Sequence, residues 1–172
     1  MSDDLTPIAA ADLTPSAALG ESLSALNNAH AVELSWLTPN RLLHLAAEAF
    51  AANRIGDADA LLLAFDQDAD YDSPNFLWFR ARFRRFVYVD RVVVAAHARG
   101  RGLARRLYLD LFERARDARH QRIVCEVNAD PPNPASDAFH AKLGFTQVGK
   151  ASLPSGKTVS YLMRRLARAG SS

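Results

Sequence analysis

A glycine- and arginine-rich hexapeptide lies where an apolar run of the sequence meets an amphipathic segment. Arg99-Gly100-Arg101-Gly102-Leu103-Ala104 follows the run 91–96, which is apolar after Arg91, and opens the segment 103–120, whose apolar residues recur every four positions. The run predicts a buried strand and the segment predicts a helix. A glycine-rich turn from a strand into a helix directs backbone N–H groups and the positive end of the helix dipole at one place. The spacing therefore predicts a phosphate-binding turn, with Arg105 and Arg106 adding positive charge.

The charged residues are distributed unevenly along the chain, although its net charge is only +2. Residues 1–79 hold two arginines against twelve acids, residues 80–122 hold thirteen arginines against four acids, and residues 123–172 hold six basic against three acidic side chains. Nucleic acid or a small polyanionic cofactor could explain the basic block. We favour the cofactor, because the arginines are spread over strand, turn and helix without interleaved exposed aromatic residues.

Length and composition predict a globular protein of one domain, 1–172, with its core over about 5–166 and a small polar tail from 167. A chain of this length buries about 70% of its unfolded surface and needs neither disulfides nor a metal. Cys125 is the only cysteine, which excludes an intrachain disulfide and a cysteine metal cluster and fits a cytoplasmic location. The acidic N-terminus predicts no secretory signal. No apolar run approaches the roughly 20 residues of a membrane span.

The stretch 66–75 carries alternating aspartates that resemble a calcium-binding loop. It lacks the central glycine and the terminal glutamate that such a loop needs. We therefore predict no metal site in the chain.

Hydrophobic periodicity and turn signals divide the chain into short strands and helices. Thr14-Pro15, Thr38-Pro39 and Asn133-Pro134 each predict a helix start, with an N-cap followed by proline at the first helical position. The last of these helices is predicted to stop at Gly144. The predicted strands are 5–8, 50–55, 60–66, 86–94, 121–127, 146–152 and 157–163, and further helices follow Ser73-Pro74 and the glycine turn.

Two connecting segments have unusual composition. The linker 27–36 between the first two helices is too apolar to face only solvent, so Val32, Leu34 and Trp36 are predicted to plug the core, with a pocket lining as the alternative. The segment 128–133 is polar and stiffened by prolines, and it is predicted to be the turn between a strand and the following helix.

Two blocks of this sequence resemble the GCN5-related N-acetyltransferase (GNAT) superfamily. The hexapeptide 99–104 matches the superfamily's acetyl-CoA motif, (Gln/Arg)-x-x-Gly-x-(Gly/Ala), and residues 133–145 resemble its segment Asn-x-x-Ala-x-x-Phe-Tyr-x-x-x-Gly-Phe. The order of strands and helices agrees with the superfamily as well. The resemblance covers about residues 5–166 and is most specific over 86–150.

This resemblance implies an α/β fold with a mixed, mostly antiparallel central sheet of about seven strands and helices on both faces. Two central strands, here 92–94 and 123–127, would splay apart to form the acetyl-CoA slot, with the segment 128–133 framing one side. The pantetheine arm would pair with the first of these strands, and the pyrophosphate would lie on the N–H groups of 100–105. The implied cofactor-binding residues are Val92, Val93, Val94, Arg99, Gly100, Arg101, Gly102, Leu103, Ala104, Arg105, Asn133, Ser136, Phe139 and His140.

The reaction that the resemblance implies is direct attack of an amine on the thioester, without a metal. An amine with a pKa of about 10.4 arrives protonated, so a base or a water chain must remove a proton. A backbone N–H near Val94 is expected to hold the oxyanion. The thiolate that leaves has a pKa of about 8.5, so a positioned acid helps its departure.

The expected acid is the point at which the sequence departs from the superfamily pattern. The superfamily has tyrosine after the phenylalanine of Phe-Tyr, whereas this chain has His140. Histidine can protonate a thiolate, or it can be only a cofactor contact. Tyr161 is a substitute candidate for the acid, and Tyr108 is a weaker one.

Three carboxylates are candidates for the base. Asp90 precedes Val94 by four residues and lies on the same strand face, while Glu126 and Glu33 are alternatives. Ion pairing with neighbouring arginines is the competing explanation for the first two. Glu33, Trp36 and Glu126 are the predicted acceptor-pocket residues, and catalysis by proximity through water is a further alternative.

The acceptor is predicted only as a small-molecule or protein amine. The acidic first half favours a cationic one, such as a polyamine or an aminoglycoside. An acyl-CoA-binding module without turnover is an alternative, and a nucleic-acid-binding protein is another. The oligomeric state stays open, although dimers are frequent in the superfamily, so a homodimer is one candidate.

Overall fold

The computed structural model of the protein describes residues 4–14, 17–30 and 34–167. Strands and helices alternate along these residues, with short 3-10 helices at Ala10–Leu13 and Ala96–Ala98. The main elements are β1 Leu5–Pro7, α1 Ala18–Asn28, α2 Pro39–Glu48, β2 Ala51–Ile55, β3 Ala60–Asp66, α3 Pro74–Arg80, β4 Val87–Val94, α4 Leu103–Asp117, β5 Arg122–Asp130, α5 Pro134–Lys142, β6 Thr146–Ser152 and β7 Thr158–Arg165.

The strands form a seven-stranded sheet in the order β1-β2-β3-β4-β5-β7-β6. The β1–β2, β2–β3, β5–β7 and β6–β7 ladders are antiparallel. β4 and β5 are parallel, and their ladder comprises only Val87↔Ile123 and Tyr88↔Val124. The predicted α/β class with a mostly antiparallel sheet of seven strands is therefore confirmed. A ladder this short agrees with strands that separate after their first residues, while the acetyl-CoA slot itself stays a prediction.

The chain divides into two compact units, Met1–Ala69 with Val89–Leu111, and Asp70–Tyr88 with Phe112–Ser172. β4 and α4 each contribute residues to both units. In the first unit, the interior is aliphatic. β3 is buried along nearly its whole length, and Leu23 of α1, Leu42 of α2 and Ile55 of β2 have no exposed surface. Among the described residues, none of the helices combines the length and hydropathy needed to span a membrane.

The interior of the second unit is aromatic. Phe76 and Phe79 of α3 pack against Phe86 and Tyr88, with ring centroids 5.7 to 6.3 Å apart. Trp78 lies on the same helix, and its indole stacks on the Tyr161 ring with centroids 4.2 Å apart. Aromatic pairs of this kind add to the free energy gained by burial. The aromatic side chains of the short helix α3 thus hold it against the interior of the second unit.

The local signals at two helix starts are confirmed. The Thr38 hydroxyl accepts a hydrogen bond from the Arg41 N–H at 3.1 Å, and the Asn133 side-chain oxygen accepts one from the Ser136 N–H at 3.2 Å. Gly144 follows the end of α5 with φ of 87°, a left-handed conformation that glycine adopts without strain. The other predicted start, Thr14-Pro15, falls partly outside the described residues.

Two predictions about connecting segments are wrong. Trp36 is 68% exposed and does not plug the core, while Val32 lies outside the described residues. The segment 128–133 is not wholly a turn, because β5 runs to Asp130, which pairs with Thr158 of β7. A polar sequence extends the strand there because β7 continues alongside and satisfies its backbone groups.

Gly149 of β6 packs directly against the indole of Trp78. A Cβ built at Gly149 would lie 2.5 Å from Cζ2 of Trp78 and 2.6 Å from Cη2. We expect Gly149→Ala to lower the free energy of unfolding by about 1–3 kcal/mol, as overpacking typically does, when measured by urea denaturation. Gly20→Ala is the matched control, since its Cβ would meet nothing closer than 3.7 Å in α1, where alanine favours the helix. Equal stability of the two variants would contradict the packing argument.

Candidate active site

The glycine turn between β4 and α4 has the backbone conformation that its sequence predicts. Gly100 and Gly102 adopt φ of 79° and 71°, which residues with a Cβ rarely adopt. α4 begins at Leu103, and the Arg106 N–H donates to the Gly102 carbonyl at 3.1 Å. The N–H groups of the first turn of a helix have no acceptor within the helix. They are therefore the donors that a phosphate would use.

The turn is anchored by buried residues and open on its outer side. Ala98 and Leu103, on its two sides, are 0% and 2% exposed. A Cβ added at Gly100 or at Gly102 would meet no atom within 4 Å. The arginines of the turn and of the first helical turn are exposed; they are Arg99, Arg101, Arg105 and Arg106. Fixed flanks, open space and positive charge are what a pyrophosphate site requires.

His30, two residues after the end of α1, orients the first arginine of the turn. The His30 Nδ1 lies 3.2 Å from the Leu26 carbonyl oxygen, which can only accept, so this nitrogen carries the proton. The His30 Nε2 then accepts a hydrogen bond from the Arg99 guanidinium at 3.1 Å. The residues that follow α1 therefore help to set the direction of Arg99.

The segment that joins β4 to the turn is attached to the β2–β3 hairpin. The Ala95 N–H donates to the Asp59 carbonyl oxygen at 2.8 Å, and the His97 imidazole lies 2.9 Å from the Asp59 carboxylate. Asp59 therefore holds this segment through both its backbone and its side chain. Within β4, Val93 is 3% exposed, while Val92 and Val94 are half-buried. Pantetheine pairing with Val92 to Val94 stays a prediction.

Asp90 is engaged by its neighbour. Its carboxylate accepts a hydrogen bond from the Arg91 Nε at 2.7 Å, and the side chains of Asp90 and Arg91 are 6% and 4% exposed. Arg91 also donates to Asn27 and Ser35. The ion pair with Arg91, within this buried network, is the alternative explanation for Asp90 to a role as the base.

The second unit carries the predicted residues of α5. Ser136 and Phe139 are half-buried, and Asn133 caps the helix. The His140 ring is buried and meets the rings of Phe139 and Phe145 edge to face. His140 Nδ1 lies 2.8 Å from the Ser136 carbonyl oxygen, so Nδ1 carries the proton. Donation of a proton from Nε2 would then require the imidazolium form.

Burial lowers the pKa of His140 below its ordinary value of 6.5, against smaller opposing effects of the Ser136 carbonyl and the Asp137 carboxylate. The unfolded chain therefore binds a proton at a higher pH than the folded chain. We expect the free energy of unfolding to be independent of this group above about pH 7 and to fall as the pH drops through 6.5 towards the folded pKa. Urea denaturation between pH 8 and 5, with His140→Gln as the comparison, measures this. An identical pH dependence in both proteins would contradict it.

Glu126 of β5 lies among hydroxyl and aromatic side chains. Its carboxylate accepts a hydrogen bond from the Tyr88 hydroxyl at 2.7 Å, and Glu126 and Tyr161 are partners in the β5–β7 register. The Tyr161 hydroxyl donates to the Asn75 side-chain oxygen at 2.9 Å. Burial, and then the charge of Glu126, raises the pKa of Tyr161 above 10.0, while Arg82 lowers it slightly. Tyr161, which is only 1% exposed, therefore keeps its proton at neutral pH.

The remaining predicted residues are scattered. Glu33 lies outside the described residues, and Tyr108, the weaker acid candidate, is 2% exposed in α4. Cys125 is buried in β5, as its apolar surroundings in the sequence predict. Among residues 4–14, 17–30 and 34–167, no group of three or more histidines, cysteines or acids is arranged to hold a metal ion.

Three arginines of the block 80–122, and Arg164 outside it, cover aromatic rings. The guanidinium carbons of Arg82, Arg122 and Arg164 lie 3.8 to 4.4 Å from ring centroids of aromatic residues, and Arg80 lies 5.4 Å from the Phe76 centroid. Such contacts combine cation–π attraction with burial of the arginine stems. The charge density that suggests nucleic acid in the sequence is therefore partly explained by packing.

Several residues around these sites were missed in the sequence. Tyr88 and Asn75 carry no motif, and their hydroxyl and amide reach Glu126 and Tyr161 only through the fold. His30 lies 69 residues from Arg99, so no local spacing connects them. The usable signal was the pair Asp90 and Arg91, two adjacent charges inside an otherwise apolar strand.

Residues 75–145 match the model of the acetyltransferase (GNAT) family. Over these residues, the chain is similar to the GNAT acetyltransferase family. The matched residues contain the glycine turn, β5 and the whole of α5, and the match supports acyltransferase activity. No curated protein sequence matches the chain significantly.

Several solved structures are similar to this chain at low sequence identity. Ard1 from Thermoplasma volcanium aligns with a TM-score of 0.72 and 14% identity, over 98% of this chain and 100% of that chain. The ribosomal-protein-S18-alanine N-acetyltransferase from Escherichia coli aligns with a TM-score of 0.68 and 14% identity, over 97% and 96%. The yncA protein from Salmonella typhimurium, with its cofactor acetyl-CoA, aligns with a TM-score of 0.65 and 17% identity, over 98% and 96%. At these identities the structures show that the chain has the GNAT fold.

Proposed function

We propose that the protein transfers an acetyl group from acetyl-CoA to an amine by direct attack of the amine on the thioester. The observation that carries this proposal is the turn at 99–104, with two glycines at positive φ, the first turn of α4, and exposed arginines around open space. A similar structure, the yncA protein, holds acetyl-CoA as its cofactor. In this proposal, the cofactor is held by residues 92–94 and 99–105 of the first unit.

Glu126 is the base that we favour. Its carboxylate is half-buried and is oriented by the Tyr88 hydroxyl at 2.7 Å, so it would meet an ammonium group in a fixed direction. Asp90 is less suitable, because it is paired with a buried arginine at 2.7 Å, and proton uptake there would leave that arginine without its counter-charge. A base within reach of the nucleophile contributes typically 10²–10⁴ in rate.

Tyr161 is the proton donor that we favour over His140. The raised pKa of Tyr161 keeps its hydroxyl protonated at neutral pH, whereas the lowered pKa of His140 keeps that ring neutral. Neutral His140 uses its Nδ1 proton on the Ser136 carbonyl, which suits a cofactor contact better than an acid. A thiolate with a pKa of about 8.5 needs only modest assistance to leave.

The acceptor in this proposal is a cationic amine, on a small molecule or on a protein. The support is charge, since residues 1–79 carry twelve acids against two arginines. Negative surface potential concentrates cationic ligands and steers their approach.

The experiment is a titration of acetyl-CoA by calorimetry, followed by an assay of free thiol with a panel of amines of different charge. We expect binding and amine-dependent release of CoA, with cationic amines preferred. Binding without thiol release on any amine would indicate an acyl-CoA-binding module instead. Failure to bind acetyl-CoA, together with salt-dependent binding of DNA or RNA in a gel shift, would favour the nucleic-acid alternative.

A further inference from the structure

The buried side chain of Arg91, in β4, donates hydrogen bonds to the end of α1 and to the linker that follows α1. The Arg91 Nη1 donates to the Asn27 side-chain oxygen at 2.9 Å and to the Ser35 carbonyl oxygen at 3.4 Å. Its Nη2 donates to the Ser35 hydroxyl at 3.2 Å, and its Nε donates to the Asp90 carboxylate. Arg91 and Asn27 are 5% and 0% exposed. A charged group this deeply buried persists only when its donors are well satisfied.

Two asparagines at the end of α1 hold the same linker from the other side. The Asn27 amide donates to the Ser35 carbonyl oxygen at 2.8 Å. The Asn28 side chain accepts from the Leu37 N–H at 2.8 Å and donates to the Leu37 carbonyl oxygen at 2.7 Å. Leu37 is itself 2% exposed. We call Arg91, Asn27 and Asn28 the linker clamp.

Trp36 lies between Ser35 and Leu37, the two residues to which the linker clamp hydrogen-bonds. Its backbone neighbours, Ser35 and Leu37, are hydrogen-bonded on both sides, yet its side chain is 68% exposed. A large aromatic side chain turned outward from a pinned backbone adds nothing to the core. Aromatic residues presented in this way are characteristic of binding surfaces, because a rigid ring loses little conformational entropy on binding.

We propose that Trp36 is a contact residue that selects the acceptor amine, and that Arg91 acts as the positioning residue for it. This inference rests on the proposed acetyltransferase function. The face of an indole ring attracts cations and is unsuited to the polyanionic cofactor, for which the chain has the separate turn at 99–104. Arg91 lies three residues before Val94 on β4, the strand along which the thioester is proposed to lie. The linker clamp therefore fixes Trp36 relative to that strand.

The positioning role has a spectroscopic test that needs no acceptor. The chain has two tryptophans, so Trp78→Phe leaves Trp36 as the only indole. In that background, we expect Arg91→Met and Asn28→Ala to lower the fluorescence anisotropy of Trp36 and to raise its acrylamide quenching at least twofold, while acetyl-CoA affinity changes less than threefold. Arg84→Met is the matched control, as an exposed arginine outside both the linker clamp and the proposed cofactor site. If Arg91→Met does not fold, Asn28→Ala decides, and unchanged anisotropy in a folded variant overturns the positioning role.

The selectivity role is tested by kinetics with matched amines. We expect Trp36→Ala to raise the KM for a diamine about tenfold and to raise the KM for a monoamine of similar size, which has no second ammonium group, less than threefold. Trp36→Phe should recover part of the loss. The affinity for acetyl-CoA should stay within threefold of the parent. An equal KM change for both amines, or none, would overturn the inference while leaving acetyl transfer intact. Absence of acetyl-CoA binding in the parent would instead refute the proposed function itself.

Discussion

Replacing Gly102 by glutamate is expected to lower the affinity for acetyl-CoA at least 100-fold. The substitution places a side chain in the open space beside the turn, where a Cβ meets no atom within 4 Å, and puts a carboxylate at the start of α4. The carboxylate would accept hydrogen bonds from the N–H groups of the first helical turn and would repel the pyrophosphate. Loss of two charge-assisted hydrogen bonds, at about 1.5–3 kcal/mol each, corresponds to a 100-fold change or more. Calorimetric titration of acetyl-CoA measures it.

Gly156→Glu is the matched control for this variant. Gly156 has φ of 88° in the β6–β7 turn, and a Cβ there also meets nothing within 4 Å. Both variants therefore carry the same backbone strain and the same added charge, and urea denaturation should show similar losses of stability. We expect Gly156→Glu to bind acetyl-CoA like the parent. Parent-like affinity in a folded Gly102→Glu protein would place the pyrophosphate elsewhere.

Glu126→Gln is expected to reduce the rate of acetyl transfer by about 10²–10³ at saturating acetyl-CoA, with little change in cofactor affinity. The amide cannot take the proton of the acceptor ammonium, and positioned bases contribute about 10²–10⁴ in rate. The loss should shrink as the pH rises towards the pKa of the amine, about 10.4 for a lysine-like group, because more of the acceptor then arrives neutral. A pH–rate profile with one amine measures both effects.

Two further variants distinguish the carboxylates. Tyr88→Phe removes the hydroxyl that lies 2.7 Å from Glu126, and we expect a loss of about tenfold, since the base remains but is less well oriented. Asp90→Asn breaks the pair with Arg91, so its main effect should be on stability, by about 3–5 kcal/mol as for other buried pairs. Full activity in Glu126→Gln, together with inactivity in a folded Asp90→Asn, would transfer the base role to Asp90.

The elements whose signals are local could be predicted from the sequence. Thr38 and Asn133 each accept the N–H that an N-cap should accept. Gly100 and Gly102 have the positive φ that a tight turn into α4 requires. These features depend on a few neighbouring residues, so their spacing carries the information. The same holds for the β2–β3 hairpin, where Gly56 adopts φ of 59°.

The features that depend on residues distant in the sequence could not be predicted. β5 continues to Asp130 through polar residues because β7 pairs with it, and this pairing leaves no trace in the local composition. Trp36 was expected inside, since apolar character predicts burial, but its neighbours are held by side chains of α1 and β4. The candidate site shows the same division. Its glycine turn could be predicted from the sequence, whereas the surroundings of Glu126 and His140 could be described only from the fold.

The hydrogen bonds of Arg91 also have a consequence for biosynthesis. Arg91 is 64 residues from Asn27 and 56 residues from Ser35. On a ribosome that adds about 5–20 residues per second, α1 and the linker are made several seconds before β4 can emerge. During that interval the nascent chain lacks the guanidinium to which Asn27 and Ser35 hydrogen-bond. The segment that presents Trp36 is therefore expected to reach its final arrangement late in synthesis, after α3 has already been translated.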